Sequence, residues 1–278
     1  MKELNHLSKV FKAYDTFVID LWGVIHDGIT LNEKAIEAVD QLKKHSKKIV
    51  FLSNAPRPSA KVVDFLLKMK IDKKYLSNVM TSGEAAMHAI NKNKFGKKFF
   101  HLGPPRDATI FEKVKENKTI IDSCDFILCT GLFDEDDPDL NKVQLHENDL
   151  DYYKNFLIKH ISKKLVCTNP DLIVHRGNKE EYCAGYIAKI FEEMGGKVIY
   201  YGKPYKEIYE MCFEASEKVL AIGDNLRTDI KGANNLNKDC IFISNGVHRN
   251  EFESNLELEK LLNKYKVKAN YFQRELKW

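Results

Sequence analysis

The stretch FVIDLWGV, residues 17–24, sets an acidic side chain, Asp20, directly after a run of apolar and β-branched residues. A short apolar run without polar alternation suits a strand buried on both faces, as in a parallel sheet. Open α/β sheets bind ligands beyond the carboxyl ends of their strands, which is where Asp20 falls. Outward from this segment the same pattern repeats. β-rich runs at Thr16–Asp20, Lys48–Leu52, Lys98–Leu102, Asp125–Thr130, Lys164–Thr168, Lys197–Tyr201, Val219–Gly223 and Cys240–Ser244 are mostly separated by stretches of helical periodicity. That alternation predicts an α/β protein with a mostly parallel sheet and helices on its faces. Thr81-x-x-Glu84 reads as a capping box, and Pro204 as a first-turn proline. The densest basic patch, Lys43, Lys44, Lys47 and Lys48, reads as a solvated helix end, where cations answer exposed carbonyls. Asp134–Asp139, followed by Asn141–Asp151 and broken by Pro138, predicts an acidic surface loop.

The 278 residues have room for one large α/β domain or two modest ones. With 44% hydrophobic and 30% charged residues, collagen-like and wholly disordered readings are excluded. The net charge of +4 arises from 44 basic and 40 acidic residues spread along the chain, which argues against a dedicated nucleic-acid binder and suits small anionic substrates. No apolar run approaches the ~20 residues of a membrane span, and the opening residues are charged where a secretory signal is greasy; a cytoplasmic protein without membrane contact is expected. The six cysteines contain no C-x-x-C pair, so neither a zinc knuckle nor a redox dithiol is signalled.

Four segments each put a reactive or phosphate-friendly side chain just past a predicted strand: FVIDLWGV with Asp20, FLSNAPRPS with Ser53 and Asn54, YYGKPYKEIYE with Lys203, and LAIGDNLRTD with Asp224 and Asp229. Singly, each has an ordinary alternative: a turn acid, a helix cap, a surface lysine, acids complementing a helix dipole. Together they supply the parts of a phosphoryl-transfer site. A carboxylate at Asp20 can attack phosphorus once repulsion between two anions is offset. Asp20, Asp224 and Asp229 offer hard oxygen ligands for Mg²⁺. Ser53, its neighbouring amides and Lys203 can hold the remaining phosphate oxygens.

This constellation resembles the haloacid dehalogenase (HAD) superfamily, whose four motifs match Asp20, Ser53, Lys203 and the Asp224/Asp229 pair in the same order. CTNPD at Cys167–Asp171, GKP at Gly202–Pro204 and GDNLRTDIKGA resemble the class IIA members, which carry a C2 cap between the second and third motifs. The resemblance implies a Rossmann-like core from residues 1–78 and 196–278 with an α/β cap from 79–195, which can also take part in a homodimer. It further implies a Mg²⁺-dependent phosphohydrolase of small phosphorylated metabolites, working through an aspartyl-phosphate on Asp20. Asp229 would complete the metal shell through water or orient Lys203, and His175 and Arg176, after the TN-x-D segment, would either contact an anionic or aromatic group of the substrate or be ordinary loop polarity.

One position departs from the family pattern. Where its phosphatases usually carry a second Asp, two residues after the nucleophile, this chain has Trp22. An indole neither protonates a leaving group nor activates water, although the backbone carbonyl of residue 22 can still bind metal. General acid–base assistance is worth ~10²–10⁴ in rate, so substrates with good leaving groups are expected to be favoured. His26 or Asp27 is an alternative proton carrier, and a catalytically weak phospho-ligand binder is the alternative function. Trp22 itself is either core packing or an aromatic surface against substrate or cap. Arg57 either adds charge near the phosphate or faces water.

Overall fold

A computed structural model of the chain describes residues 1–133 and 150–278. Within these, the strands are β1 (Lys2–Glu3), β2 (Thr16–Ile19), β3 (Lys48–Ser53), β4 (Val79–Thr81), β5 (Phe99–Leu102), β6 (Phe126–Cys129), β7 (Lys164–Cys167), β8 (Ile173–Arg176), β9 (Lys179–Tyr182), β10 (Lys197–Tyr200), β11 (Val219–Gly223), β12 (Asp239–Ile243) and β13 (Tyr271–Gln273). They form a seven-stranded sheet in the order β1-β13-β12-β11-β2-β3-β4, a four-stranded sheet in the order β10-β7-β6-β5, and the hairpin β8-β9. Both larger sheets are parallel throughout, and the hairpin is antiparallel.

The two-residue period of the strands explains the layers. Phe17, Ile19, Phe51, Leu220, Ile222, Ile241 and Ile243 point to one face of the seven-stranded sheet and pack with Leu42 and Leu66 from the helices Glu33–Lys44 and Ser59–Lys68. On the other face, Val18, Val50 and Leu52 meet Ile208 and Tyr209, while Ala221 and Phe242 meet Leu226 and Leu258. The four-stranded sheet has its own cores, one around Ile127, Leu165 and Phe191 and one around Phe99, Phe126 and Val166.

All eight runs read as strands are strands, and the lysine patch lies where the helix Glu33–Lys44 runs into β3. The expected division at 78/79 and 195/196 does not follow the sheets. β4 belongs to the seven-stranded sheet and β10 to the four-stranded one, so the change of sheet falls after Thr81 and after Tyr200. Two local expectations also shift. Thr81 caps its helix, with its Oγ1 accepting the Glu84 N–H at 3.0 Å, but the Glu84 carboxylate reaches the Ser59 N–H instead of closing the box. Pro204 follows a cis peptide bond and precedes the N-cap Tyr205, outside the first turn of Lys206–Glu210. The acidic segment expected as a loop lies outside the described residues except at its end, where Leu150 and Asp151 open the helix Leu150–Ile158. All six cysteines are buried and free, as small apolar side chains in both bodies. Among the described residues no helix is long and apolar enough to cross a membrane.

Candidate active site

β11, β2 and β3 are neighbours at the centre of the seven-stranded sheet, and their parallel register brings their carboxyl ends to one edge. Asp20 follows β2, Ser53 ends β3 with Asn54 next, and Asp224 follows β11. The chain fills β3 and β4 to one side of β2 and β11 to β13 to the other, so this edge is the point where strand order reverses. A cavity of about 610 Å³ opens there, lined by Asp20, Trp22, Ser53, Asn54, Asp224 and Asp229, with His175 of β8 facing it from the hairpin. Every residue singled out at a strand end except Lys203 lines this one space. Lys203 stands behind the cavity wall, 3% exposed, and reaches it through Asp20 and Asp229.

Charge is concentrated. Asp20, Asp224 and Asp229 are 7%, 4% and 5% exposed, and they offer carboxylate oxygens that all lie within 4.8 Å of one another. Lys203 is the one lysine or arginine buried among the described residues. Its ammonium donates to Asp20 Oδ1 at 2.6 Å, Asp229 Oδ1 at 2.7 Å and the Leu52 carbonyl at 3.0 Å. Two of the three carboxylates therefore share one ammonium, and Asp224 has none in contact. Burial, reinforced by the Asp229 charge and only partly offset by Lys203, pushes the Asp20 carboxyl up to about 8. Burial and the neighbouring Asp20 likewise raise Asp224, against the Val247 N–H that its Oδ2 accepts at 2.7 Å. Such repulsion, together with an all-oxygen donor set, fits a hard divalent cation.

Other side chains are spent on building the site. The Asn54 side chain accepts from the Lys203 N–H at 2.8 Å and from Ser82 Oγ, and donates to the Lys203 carbonyl and to Asp171, each at 3.2 Å. The side chain of Asn54, a residue expected at the phosphate, clamps the Lys203 peptide. Ser53 Oγ accepts the Ala55 N–H at 3.2 Å, which leaves its own proton to donate. Asp229 Oδ2 accepts the Asn225 N–H at 3.1 Å while its Oδ1 accepts from Lys203. Arg57 Nε lies 3.0 Å from the buried Asp107 carboxylate, which ties the loop after β3 to the segment Pro105–Asn117.

Trp22 turns toward the hairpin. Its Nε1–H donates to the His175 carbonyl at 2.8 Å, and the Arg176 guanidinium lies 5.1 Å from the ring centre. The indole thus contacts the hairpin through both its N–H and its ring face. His26 uses Nδ1 to accept the Gly28 N–H at 3.0 Å and packs edge-on against Trp22 and Phe65; burial lowers its pKa to about 4, so it is neutral. Asp27 Oδ1 accepts the amides of Ile29 at 2.9 Å and Thr30 at 2.7 Å, an Asx turn. Both alternative proton carriers thus shape the loop. Burial also lowers the pKa of His175, whose Nε2 lies 3.8 Å from Glu180.

Sequence reasoning passed over Asp171. Its Oδ1 accepts from Asn54 and from Asn225, each at 3.2 Å, and burial pushes its carboxyl up to about 6. The signal was present, since Asp171 follows a strand run as Asp20 does. Val247 and Arg249, which also line the cavity, have no comparable signature.

Two family models match the chain: a haloacid dehalogenase-like hydrolase model over residues 17–115, and a HAD-hydrolase-like model over residues 200–266. No curated protein matches it by sequence. Among solved structures, a haloacid dehalogenase-like hydrolase from Brucella suis 1330 is similar at TM-score 0.82 and 26% identity, over 99% of this chain and 100% of that one. A 4-nitrophenylphosphatase from Thermotoga maritima has TM-score 0.69 at 22% identity, covering 96% of each chain. A glycerol phosphate phosphatase from Mycobacterium tuberculosis, in complex with calcium, has TM-score 0.59 at 19% identity, over 85% of this chain and 68% of that one.

Proposed function

Because the chain belongs to the haloacid dehalogenase-like hydrolases, we propose that it is a Mg²⁺-dependent phosphatase of small phosphorylated metabolites that favours good leaving groups. The observation that carries this reading is the trio Asp20, Asp224 and Asp229 around a single buried lysine. Asp20 attacks phosphorus; the P–O bond to the leaving group breaks and an aspartyl-phosphate forms. Water then splits this acyl phosphate, releasing inorganic phosphate and regenerating Asp20. Lys203 holds Asp20 in place and, with Ser53 Oγ–H, takes up charge developing on the phosphoryl oxygens. Asp20 and Asp224, the carbonyl of Trp22 and, through water, Asp229 would hold Mg²⁺, which when bound offsets the repulsion between nucleophile and phosphate. The four-stranded body and its hairpin serve as the cap, with His175 toward the leaving group.

Two outcomes test this. Metal should stabilise the fold: at 100 times its Kd a ligand adds about 2.7 kcal/mol, or roughly 5–10 °C in Tm for a chain of this size. Raised carboxyls must release protons to take up metal, so the gain should be larger at pH 8 than at pH 6. Melts with MgCl2 against EDTA check it, and no gain at either pH removes the metal from the assignment. The leaving-group preference is tested separately. With the Trp22 N–H committed to His175, 4-nitrophenyl phosphate should be cleaved at least ~10²-fold faster than an alkyl phosphate. Comparable kcat/KM values for the two would mean that another residue donates the proton. No turnover on a broad panel would favour the second reading, a phospho-ligand binder, which the same Trp22 contact supports.

A further inference from the structure

A two-stranded hairpin is marginal in water unless it packs against something, yet β8-β9 lies in a defined place beside the Asp20 pocket. Four contacts hold it there. Trp22 Nε1–H donates to the His175 carbonyl at 2.8 Å, and the Arg176 guanidinium sits 5.1 Å from the indole centre. The Gly177 N–H donates to the Asp27 carbonyl at 3.2 Å, and Arg249 Nη2 donates to the Gly177 carbonyl at 3.0 Å. Local backbone is adapted to this docking. Gly177, with φ of 59°, takes the first central position of the hairpin turn, where a left-handed residue is needed. Gly28, with φ of 85°, lies under the indole so closely that a Cβ there would come within 2.5 Å of the ring.

We propose that Trp22 is a positioning residue: it latches the Ile173–Tyr182 hairpin beside the pocket, so that the hairpin swings away only when the indole releases the His175 carbonyl. A side chain that cannot move protons thereby decides how long the hairpin stays in place. The latch belongs to the ligand-free protein, so its test is separate from that of the phosphatase assignment.

Hydrogen exchange on the full chain without ligand reads hairpin opening directly. Trp22→Phe keeps a ring but removes the donor, and should speed exchange at residues 174–182 about fivefold, the worth of one such hydrogen bond. Arg176→Ala, which leaves the loop of residue 22 intact, should speed it about two- to fivefold, and Arg176→Lys should fall between. β2 and β11 should be unaffected in each variant. The chain has two tryptophans, so Trp278→Phe leaves Trp22 as the only indole; its emission should shift red when Arg176→Ala is added. Hairpin exchange unchanged within about twofold in both Trp22→Phe and Arg176→Ala would overturn the latch. So would a rise shared equally with β2 and β11, which marks general packing, or an emission maximum that does not move.

Discussion

Asp20→Asn should lower kcat by about 10⁴-fold or more while the fold survives, the scale expected when a covalent nucleophile is removed. Stability should respond in the opposite sense. In the folded, metal-free protein the Asp20 carboxyl is raised from its ordinary 3.8 to about 8. A folded pKa above the unfolded one contributes stability that is fully present below about pH 4 and fades as pH climbs through 8. The neutral amide removes this fading. Metal-free Asp20→Asn should therefore melt no lower than wild type at pH 8 and show a flatter dependence of Tm on pH between 4 and 8. Single-turnover kinetics and melts in EDTA check the two halves. Residual turnover within tenfold of wild type would move the nucleophile elsewhere, and an equally steep pH dependence would mean that Asp20 is not the group resisting ionisation.

Lys203→Met should be the most damaging single change for stability. It leaves the Asp20 and Asp229 carboxylates without the ammonium that both now touch. Deleting one partner of a buried ion pair costs about 3–5 kcal/mol, and at roughly 2–4 °C per kcal/mol this lowers Tm by about 6–20 °C. Without the cation Asp20 holds its proton still more firmly, so the deficit should be largest above pH 8 and shrink toward pH 5. Turnover should fall by about 10²–10³, as for loss of an oxyanion-stabilising donor. A drop of less than about 2 °C at every pH would show that another group neutralises the cluster.

The parallel strands were legible because a strand covered on both faces is written as one apolar run: TFVI, KIVFLS and VLAIG have little else to be. The same rule missed β8 and β9, where IVHR and KEEY are half-exposed and polar, and the three-residue β4. The edge strand β1 and its neighbour β13 carry too few residues to register. Asp20, Ser53, Asp224 and Asp229 could be found because each ends or closely follows a strand of the seven-stranded sheet, so position in the sheet predicts convergence; Lys203 follows β10 of the other sheet and stood out only as a lysine after a strand. The fate of Trp22 could not, since it depends on a hairpin distant in sequence whose docking has no local code. The hold of the Asn54 side chain on the Lys203 peptide was hidden for a related reason, since its partner is distant in sequence.

The central pairing of β2 with β11 sets Val18 opposite Ala221, with the whole four-stranded body threaded between them in the chain. Contacts between such remote segments form slowly, because a long stretch must first be brought to order. While the polypeptide is still being made, the carboxylate of residue 20 emerges long before the lysine and the two acids that will surround it, and water alone solvates it. The acidic cluster is thus a late product of biosynthesis, and a truncated chain carries Asp20 without the groups that surround it in the fold.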